Sequence, residues 1–301
     1  MNAEELWKEF CSKTGTDEQT PYSAWAFGGA PDQLAALVIE GIKTGTASAY
    51  DWYLEDSKEP LPKVGDFSVI LDSRDEALCV ICTTATAVVP FDQVGEDHAK
   101  QEGEGDLSLN YWRNAHQEFF IREFAGTEHQ FHEKLPVLTE RFNLLYSLFR
   151  VEQMEDNDAM AICSWKYDGV YAEYDFPSWE ECCERGWALT QAQKRWNSYF
   201  SVYYRGQLFG FFHIMDRTDH IELGVGMKPE FCGRHQGKMF MELALAKIKE
   251  LHFGLPILLS VRTFNQRAIT CYQQVGFKIQ EKYIENSHHA SGEMYRMILE
   301  R

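Results

Sequence analysis

The chain has 301 residues, 45% apolar and 14% aromatic, with 46 Asp+Glu against 29 Lys+Arg and a formal net charge of −17. That length suits two domains of about 150 residues each, and no stretch approaches the roughly 18 uninterrupted apolar residues of a membrane helix. Residues 1–150 hold 12 basic against 26 acidic residues, net −14, which argues against extended RNA or DNA held by phosphate contacts but not against a nucleoside-sized ligand.

The N-terminus, MNAEELWKEF, is acidic and lacks the basic-then-apolar order of a secretory leader, so a cytosolic protein without membrane attachment is expected. The eight cysteines have no disulfide-framework spacing, and Cys79 and Cys82 fall on opposite faces of a strand-like run. Histidines, cysteines and acids do not repeat at ligand spacing, so no metal is expected.

In chain order, Glu4 to Lys13 has helical spacing of Leu6, Trp7 and Phe10 and stops at Gly15. Pro31 suits a helix first turn, with Leu34, Leu37, Val38 and Ile42 on one stripe behind it. Pro62, Gly65 and Asp66 turn the chain into a strand FSVIL, and a long strand follows from Ala77 to Val89. Helical spacing returns over 93–101 and 107–124, and VLTERFNLLY closes the half as an alternating strand. Short strands with interspersed helices predict a small β-barrel carrying helical insertions.

Two stretches here hold chemistry. In GIKTGTAS, Lys43 and Thr46 stand three apart at a helix-to-strand junction, and Glu102 lies in HAKQEGEGDLS. A threonine hydroxyl needs a neighbouring base or cation to act as a nucleophile, and these three residues are such a set. They are equally a helix-end pair and a solvated Glu/Gly loop, which is the plainer reading of the residues alone.

The order GIKTGTAS, PKVGD, an apolar strand, HAKQEGEGDLSLNYWRNAH and ERFNLLY resembles an ASCH domain of the PUA-like superfold over about residues 23–147. In that superfamily a small amidohydrolase acting on N4-acetylcytidine uses a lysine and threonine in GxKxxT and a glutamate in HAxxE. The resemblance implies that Thr46 attacks the acetyl carbonyl, Lys43 assists its deprotonation and Glu102 shuttles protons. The EGEGD insertion belongs to a larger branch of RNA-acting or nucleotide-binding proteins, so a nucleoside or nucleotide ligand is the broader implication.

No Pro/Gly/Ser-rich linker marks the halves, and the change of pattern places the boundary between residues 146 and 147. After a short strand at 149–151, helical patterns at 159–165 and 179–189 flank WKYDGVYAEYDF, whose aromatics suit either a core or the wall of an acceptor site. Strands SYFSVYY and LFGFFHIM meet across a hairpin turn at Arg205-Gly206. Next comes IELGVGMKPEFCGRHQGK: Gly224 and Gly226 interrupt a strand, and Gly233 and Gly237 bracket the start of an amphipathic helix. This is the pattern of an anion cradle or of an ordinary strand-to-helix connection. A buried strand PILLSV, a helix over 266–274 and a closing strand pair complete the chain, with Asn265 and Tyr272 two helical turns apart.

A strand with GxGxxP, a Gly-rich turn, a helix, a strand and N-x6-Y-x3-GF resembles the GNAT acyl-CoA-dependent acetyltransferases over nearly all of residues 147–301. The fold expected for the whole chain is therefore α+β, a PUA-like barrel over 1–146 followed by a GNAT mixed α/β sheet over 147–301. The second resemblance implies acetyl-CoA as cosubstrate, entering at Gly226 and Met227. Its pyrophosphate would meet Cys232, Gly233, Arg234, His235, Gly237 and Lys238, Asn265 would contact it, and Tyr272 would protonate the departing thiolate. Cys232 and His235 depart from the family's Arg/Gln and middle glycine. Glu222 is the candidate base for a small-molecule primary amine, whose wall includes the loop 286–291. The alternatives are a hydrolase centred on the first half and a non-catalytic nucleotide- or CoA-binding module.

Overall fold

A computed structural model describes residues 1–54, 60–252, 254–287 and 290–300. The chain forms two compact units that meet in sequence between Ser147 and Leu148.

The first unit begins with α1 (Ala3–Thr14), whose start is fastened by a reciprocal cap: the Asn2 side chain accepts from Glu5 N and Glu5 accepts from Asn2 N. Its Leu6, Trp7 and Phe10 are buried, with Trp7 stacked on Tyr22 of β1 (Tyr22–Ala26) at 4.6 Å. There follow α2 (Pro31–Ile39), β2 (Gly45–Ala49), β3 (Phe67–Leu71), β4 (Ala77–Pro90), α3 (Glu96–Glu102), α4 (Leu109–Glu123) and β5 (Pro136–Ser147). The sheet order is β1-β3-β4-β5-β2, parallel between β1 and β3 and antiparallel elsewhere, curled into a half-barrel with β1 and β2 at its edges. Two register shifts against β5 bend the 14-residue β4 and supply the curl. On one face α3 and α4 bury Phe91, Trp112, Phe120 and Phe124 against Ala49 and Val137.

In the second unit, β6 (Phe149–Gln153), β7 (Tyr199–Tyr204), β8 (Gln207–Asp216), β9 (Ile221–Met227), β10 (Ile257–Arg262), β11 (Lys278–Ser287) and β12 (Ala290–Leu299) form one mixed sheet in the order β11-β12-β10-β9-β8-β7-β6. The turn between β7 and β8 puts Arg205 and Gly206 at φ 50° and 77°, the left-handed pair a two-residue hairpin requires. Helices α5 (Asp156–Cys163), α6 (Trp179–Glu184) and α7 (Ala192–Arg195) precede β7. The first two bury Ile162, Cys163 and Cys182 with Trp165 against Tyr199 and Phe211. Helix α8 (Gly237–Leu251) packs Met239, Phe240, Leu243 and Ala244 inward, and α9 (Gln266–Gln274) follows β10. Residues 288 and 289 of the loop expected to wall the acceptor lie outside the described residues.

Strands β8 and β9 and helix α8 converge at Gly210, where a Cβ would stand 2.9 Å from both the Gly226 carbonyl oxygen and a Phe240 ring carbon. A backbone oxygen cannot give way as a side chain can, so Gly210→Ala should overpack this junction and cost about 1–3 kcal/mol, measured as a lower urea midpoint for the full chain.

Candidate active sites

The second unit's site is made by two strands that part. β9 and β10 run parallel but share register only at Ile221–Ile257 and Glu222–Leu258. Beyond that, β9 stays paired to β8 through Met227 and β10 to β12 through Arg262. The edges that face each other across the opening therefore hold backbone groups with no strand partner, and such groups call for a third extended chain. At the far end the Tyr167 hydroxyl donates to Met227 O at 2.8 Å.

Directly beyond β9 the chain turns through Cys232 to Gln236 into α8. Gly233 (φ 78°) and His235 (φ 61°) both adopt left-handed backbone. Glycine takes that conformation freely, whereas histidine is strained by about 1–2 kcal/mol; the exposed His235 side chain fits at that cost. The Cys232 thiol donates to Met227 O and Lys228 O at 3.6 and 3.7 Å and closes the turn. No side chain caps the start of α8, so its first amides and the positive end of its dipole stay available. Gly237 is required for packing, since a Cβ there would lie 2.9 Å from Cys271 Sγ. Arg234 is exposed beside this turn, and the Arg267 guanidinium reaches toward Gly233 while lying 4.1 Å over the Tyr171 ring.

The stretch WKYDGVYAEYDF divides its aromatics between two jobs. Trp165 and Phe176 join the apolar cluster under α5 and α6. Tyr167, Tyr171 and Tyr174 instead reach the open ends of β9 and β10, where Tyr174 accepts from Asn265 Nδ2 at 3.0 Å and Glu173 pairs with Arg262. Asn265 also caps α9 by accepting from Ala268 N at 3.2 Å. Tyr272, one face along α9, is 9% exposed, and burial, with Cys271, Tyr174 and Tyr167 nearby, raises its pKa, so the phenol keeps its proton.

Glu222 lies at the closed end of the opening, on the same face of β9 as Gly224 and Gly226. Its carboxylate is gripped by the Arg217 guanidinium at 2.7 and 3.0 Å. The sequence reading missed His213, which stands opposite Gly224 and stacks on Tyr199 at 3.7 Å. Burial and then Arg217 lower its pKa to about 4, so it is a neutral imidazole at pH 7. A lone histidine in an apolar strand carries no sequence signal of this kind.

In the first unit Lys43 is 1% exposed and spends its ammonium on Glu102 Oε2 at 2.6 Å, Glu104 Oε1 at 2.9 Å and the Glu102 carbonyl at 3.4 Å. Glu102 Oε1 accepts from Trp112 Nε1 at 2.9 Å and faces His98 and His116 Nε2, each at 3.2 Å. His116 Nδ1 lies 3.0 Å from the Trp112 carbonyl, to which it can only donate, so an Nε2–H toward Glu102 makes the ring an imidazolium. Burial alone would discharge all three groups. The opposite charges outweigh it: Lys43 and His116 are raised and Glu102 is held well below the usual carboxylate range.

Thr46 is not part of this cluster. Among the described residues the Lys43 ammonium has three acceptors for its three protons, none of them Thr46. The reason is strand alternation. A Cβ on Gly45 would meet Gln101 and His98 of α3 at 3.3 and 3.5 Å, so the next residue, Thr46, projects to the other face of β2. There its register partner is Glu140, a buried acid of ERFNLLY to which the sequence reading gave no role.

A family model described as the ASCH domain matches residues 23–146, and one described as the acetyltransferase (GNAT) family matches residues 147–277. No curated protein matches. Among solved structures, an ASCH domain from Lactobacillus crispatus JV V101 is 29% identical over 48% of this chain and 94% of its own, with a TM-score of 0.44. A spermidine N-acetyltransferase chimera of Vibrio cholerae SpeG and hSSAT is 20% identical over 51% of this chain and 95% of its own, with a TM-score of 0.42. The structure of yncA from Salmonella typhimurium, solved with acetyl-CoA, is 14% identical over 51% of this chain and 94% of its own, with a TM-score of 0.38.

Glu102→Gln leaves the His116 cation without its counter-charge and the Lys43 ammonium with Glu104 as its one carboxylate partner, and should destabilise the protein by about 3–5 kcal/mol at neutral pH. A carboxylate with a depressed pKa contributes stability above its unfolded value, near 4.5, and loses it as pH falls through the folded one. The gap between wild type and variant in urea unfolding should therefore narrow at pH 3.

Proposed function

Because the chain joins an ASCH domain to an acetyltransferase domain of the GNAT family, we propose that its C-terminal half transfers the acetyl group of acetyl-CoA to a small-molecule primary amine. The observation that carries this reading is the parting of β9 from β10 immediately ahead of an uncapped helix start. An extended pantetheine arm carries amide groups suited to the unpaired strand edges at Gly226 and Met227, and a pyrophosphate suits the amides from Cys232 to Gly237. Arg234 and Lys238 add positive charge beside that turn, and Asn265, held through Tyr174, borders the opening.

Acyl transfer to an amine needs a base for the nucleophile and an acid for the leaving thiolate. Tyr272 suits the second role, since burial keeps its hydroxyl protonated at neutral pH and among the described residues no hydrogen bond occupies it. As the amine nitrogen bonds to the acetyl carbon and the carbon–sulfur bond breaks, the phenol gives its proton to sulfur. Glu222 takes the amine proton through water, because the direct lone pairs of one carboxylate oxygen face Arg217. The charge distribution favours a small acceptor over long nucleic acid, and eight free cysteines suit a cytoplasmic setting.

A second reading concerns the ASCH half, as a pocket for a nucleoside or nucleotide or as an amidohydrolase of the N4-acetylcytidine type. The buried ionised cluster at Lys43 and Glu102 favours a built site there. With its pKa raised, Lys43 acts as a fixed positive charge and not as the base that deprotonates Thr46.

Calorimetry should show acetyl-CoA binding to wild type and to Tyr272→Phe alike, while thiol release over a panel of primary amines falls about 100-fold in the variant. Absence of acetyl-CoA binding to wild type would overturn the transferase reading.

A further inference from the structure

On the face of the sheet that carries Glu222, one strand position is bare. His213 of β8 stands directly opposite Gly224 of β9, and its ring lies on the Tyr199 ring of β7 with centroids 3.7 Å apart and planes 13° from parallel. Directly opposed residues share a face, so Tyr199, His213 and Gly224 are three successive rungs across β7, β8 and β9. The first two rungs are flat rings. The third has no side chain. A Cβ there would meet, among the described residues and apart from its chain neighbours, only His213 within 4 Å, at its Cβ (3.7 Å) and carbonyl oxygen (3.9 Å). Gly224 and His213 are both partly exposed.

The next positions along β9 on this face are filled. A Cβ on Gly226 would stand 2.3 Å from the Phe211 ring, so that glycine is covered by an aromatic side chain. At the other end Glu222 carries the carboxylate gripped by Arg217. Residues two apart on a strand are separated by about 7 Å, so the space over Gly224 is a slot one rung wide, between Phe211 and Glu222. Tyr199 covers one face of the His213 ring, and the other face looks over β9. Neighbouring strands are about 4.8 Å apart, which puts the slot at stacking distance from that open face. Burial and then Arg217 keep His213 neutral at pH 7, so the slot meets an uncharged aromatic surface and not a cation.

We propose that the acceptor is a primary amine joined by a short arm to an aromatic ring, and that this ring lies over Gly224 as the third rung of a stack with His213 and Tyr199. The proposal rests on the acetyltransferase reading above. The opening between β9 and β10 adjoins Gly224 on the side away from His213. An arm of one or two carbons therefore brings the nitrogen from the slot to an acetyl thioester in that opening, and Glu222, about 7 Å along β9, reaches the nitrogen through a bridging water. The nitrogen bonds to the acetyl carbon, the carbon–sulfur bond breaks, the amine proton leaves through water to Glu222 and Tyr272 protonates the sulfur. His213 takes no proton; its ring face selects the acceptor.

The test compares 2-phenylethylamine with n-hexylamine, apolar primary amines of similar size, as acceptors for the full chain, with thiol release, calorimetry of acetyl-CoA binding and thermal unfolding for each variant. Wild type should favour 2-phenylethylamine about tenfold in kcat/KM. His213→Phe keeps a flat face on Tyr199 and should retain that ratio, whereas His213→Ala should bring it to about one. Gly224 has ordinary strand backbone, so Gly224→Val should fold and bind acetyl-CoA as wild type does while its side chain fills the slot and lowers kcat/KM for 2-phenylethylamine about 30-fold. An equal or higher kcat/KM for hexylamine in wild type, a ratio that survives His213→Ala or is lost in His213→Phe, or undiminished turnover of 2-phenylethylamine by Gly224→Val overturns the stacking slot and leaves the transferase reading standing. Where His213→Ala does not fold, the wild-type ratio and Gly224→Val decide. If wild type binds no acetyl-CoA, or releases no thiol with any primary amine, the transferase reading falls and this proposal with it.

Discussion

Two parallel strands that separate after two paired residues govern what the C-terminal half can do. A sheet that stayed zipped from Glu222 to Met227 would satisfy its own backbone and leave no edge for an acyl carrier. The separation is possible because each strand has a full partner on its other side, β8 for β9 and β12 for β10. Close packing then holds β9 against β8 and α8: Gly210 lets the three meet without a side chain between them, and Gly226 leaves room for the Phe211 ring. Helix α8, uncapped, points its free amides at the place where β9 ends. The segment carrying Tyr167, Tyr171 and Tyr174 is fastened to Met227, Arg267 and Asn265, the residues that border the same opening.

The N-terminal half shows how environment separates two residues of one type. Glu102 and Glu140 are both buried glutamates within reach of β2, one on each face. Glu102 sits among a lysine, two histidines and an indole N–H, and its charge is part of what holds α3 to the sheet. Glu140 accepts one long hydrogen bond from Thr83, which favours its charge, but burial outweighs that bond and Asp66 adds to the opposition. One residue type is thus held ionised on one face of β2 and pushed toward its neutral form on the other.

Most elements were legible from local pattern. The helices at α1, α8 and α9, the hairpin at Arg205-Gly206, and the strands FSVIL and PILLSV follow from apolar periodicity, caps and turn residues, which act over a few positions. Strands β1 and β2 were not legible. GTASA is rich in glycine and alanine, poor strand formers, and is extended because it pairs with β5 at one edge of the sheet. Missing β2 as a strand is what made Lys43 and Thr46 look like neighbours, since alternation across a strand was never applied to them.

From its residues alone this chain determines two α+β halves, the glycine-interrupted strand leading into a helix, and the motif positions that identify the ASCH and GNAT families. These are properties of spacing, and spacing is local. Tertiary structure alone decided that β9 and β10 part after Glu222, that Tyr272 is buried and protonated, and that Lys43 is spent on Glu102 and Glu104 while Thr46 faces Glu140. Each of those depends on cross-strand register or on burial, which bring together groups as far apart in sequence as Thr46 and Glu140 and set their protonation through the company they keep.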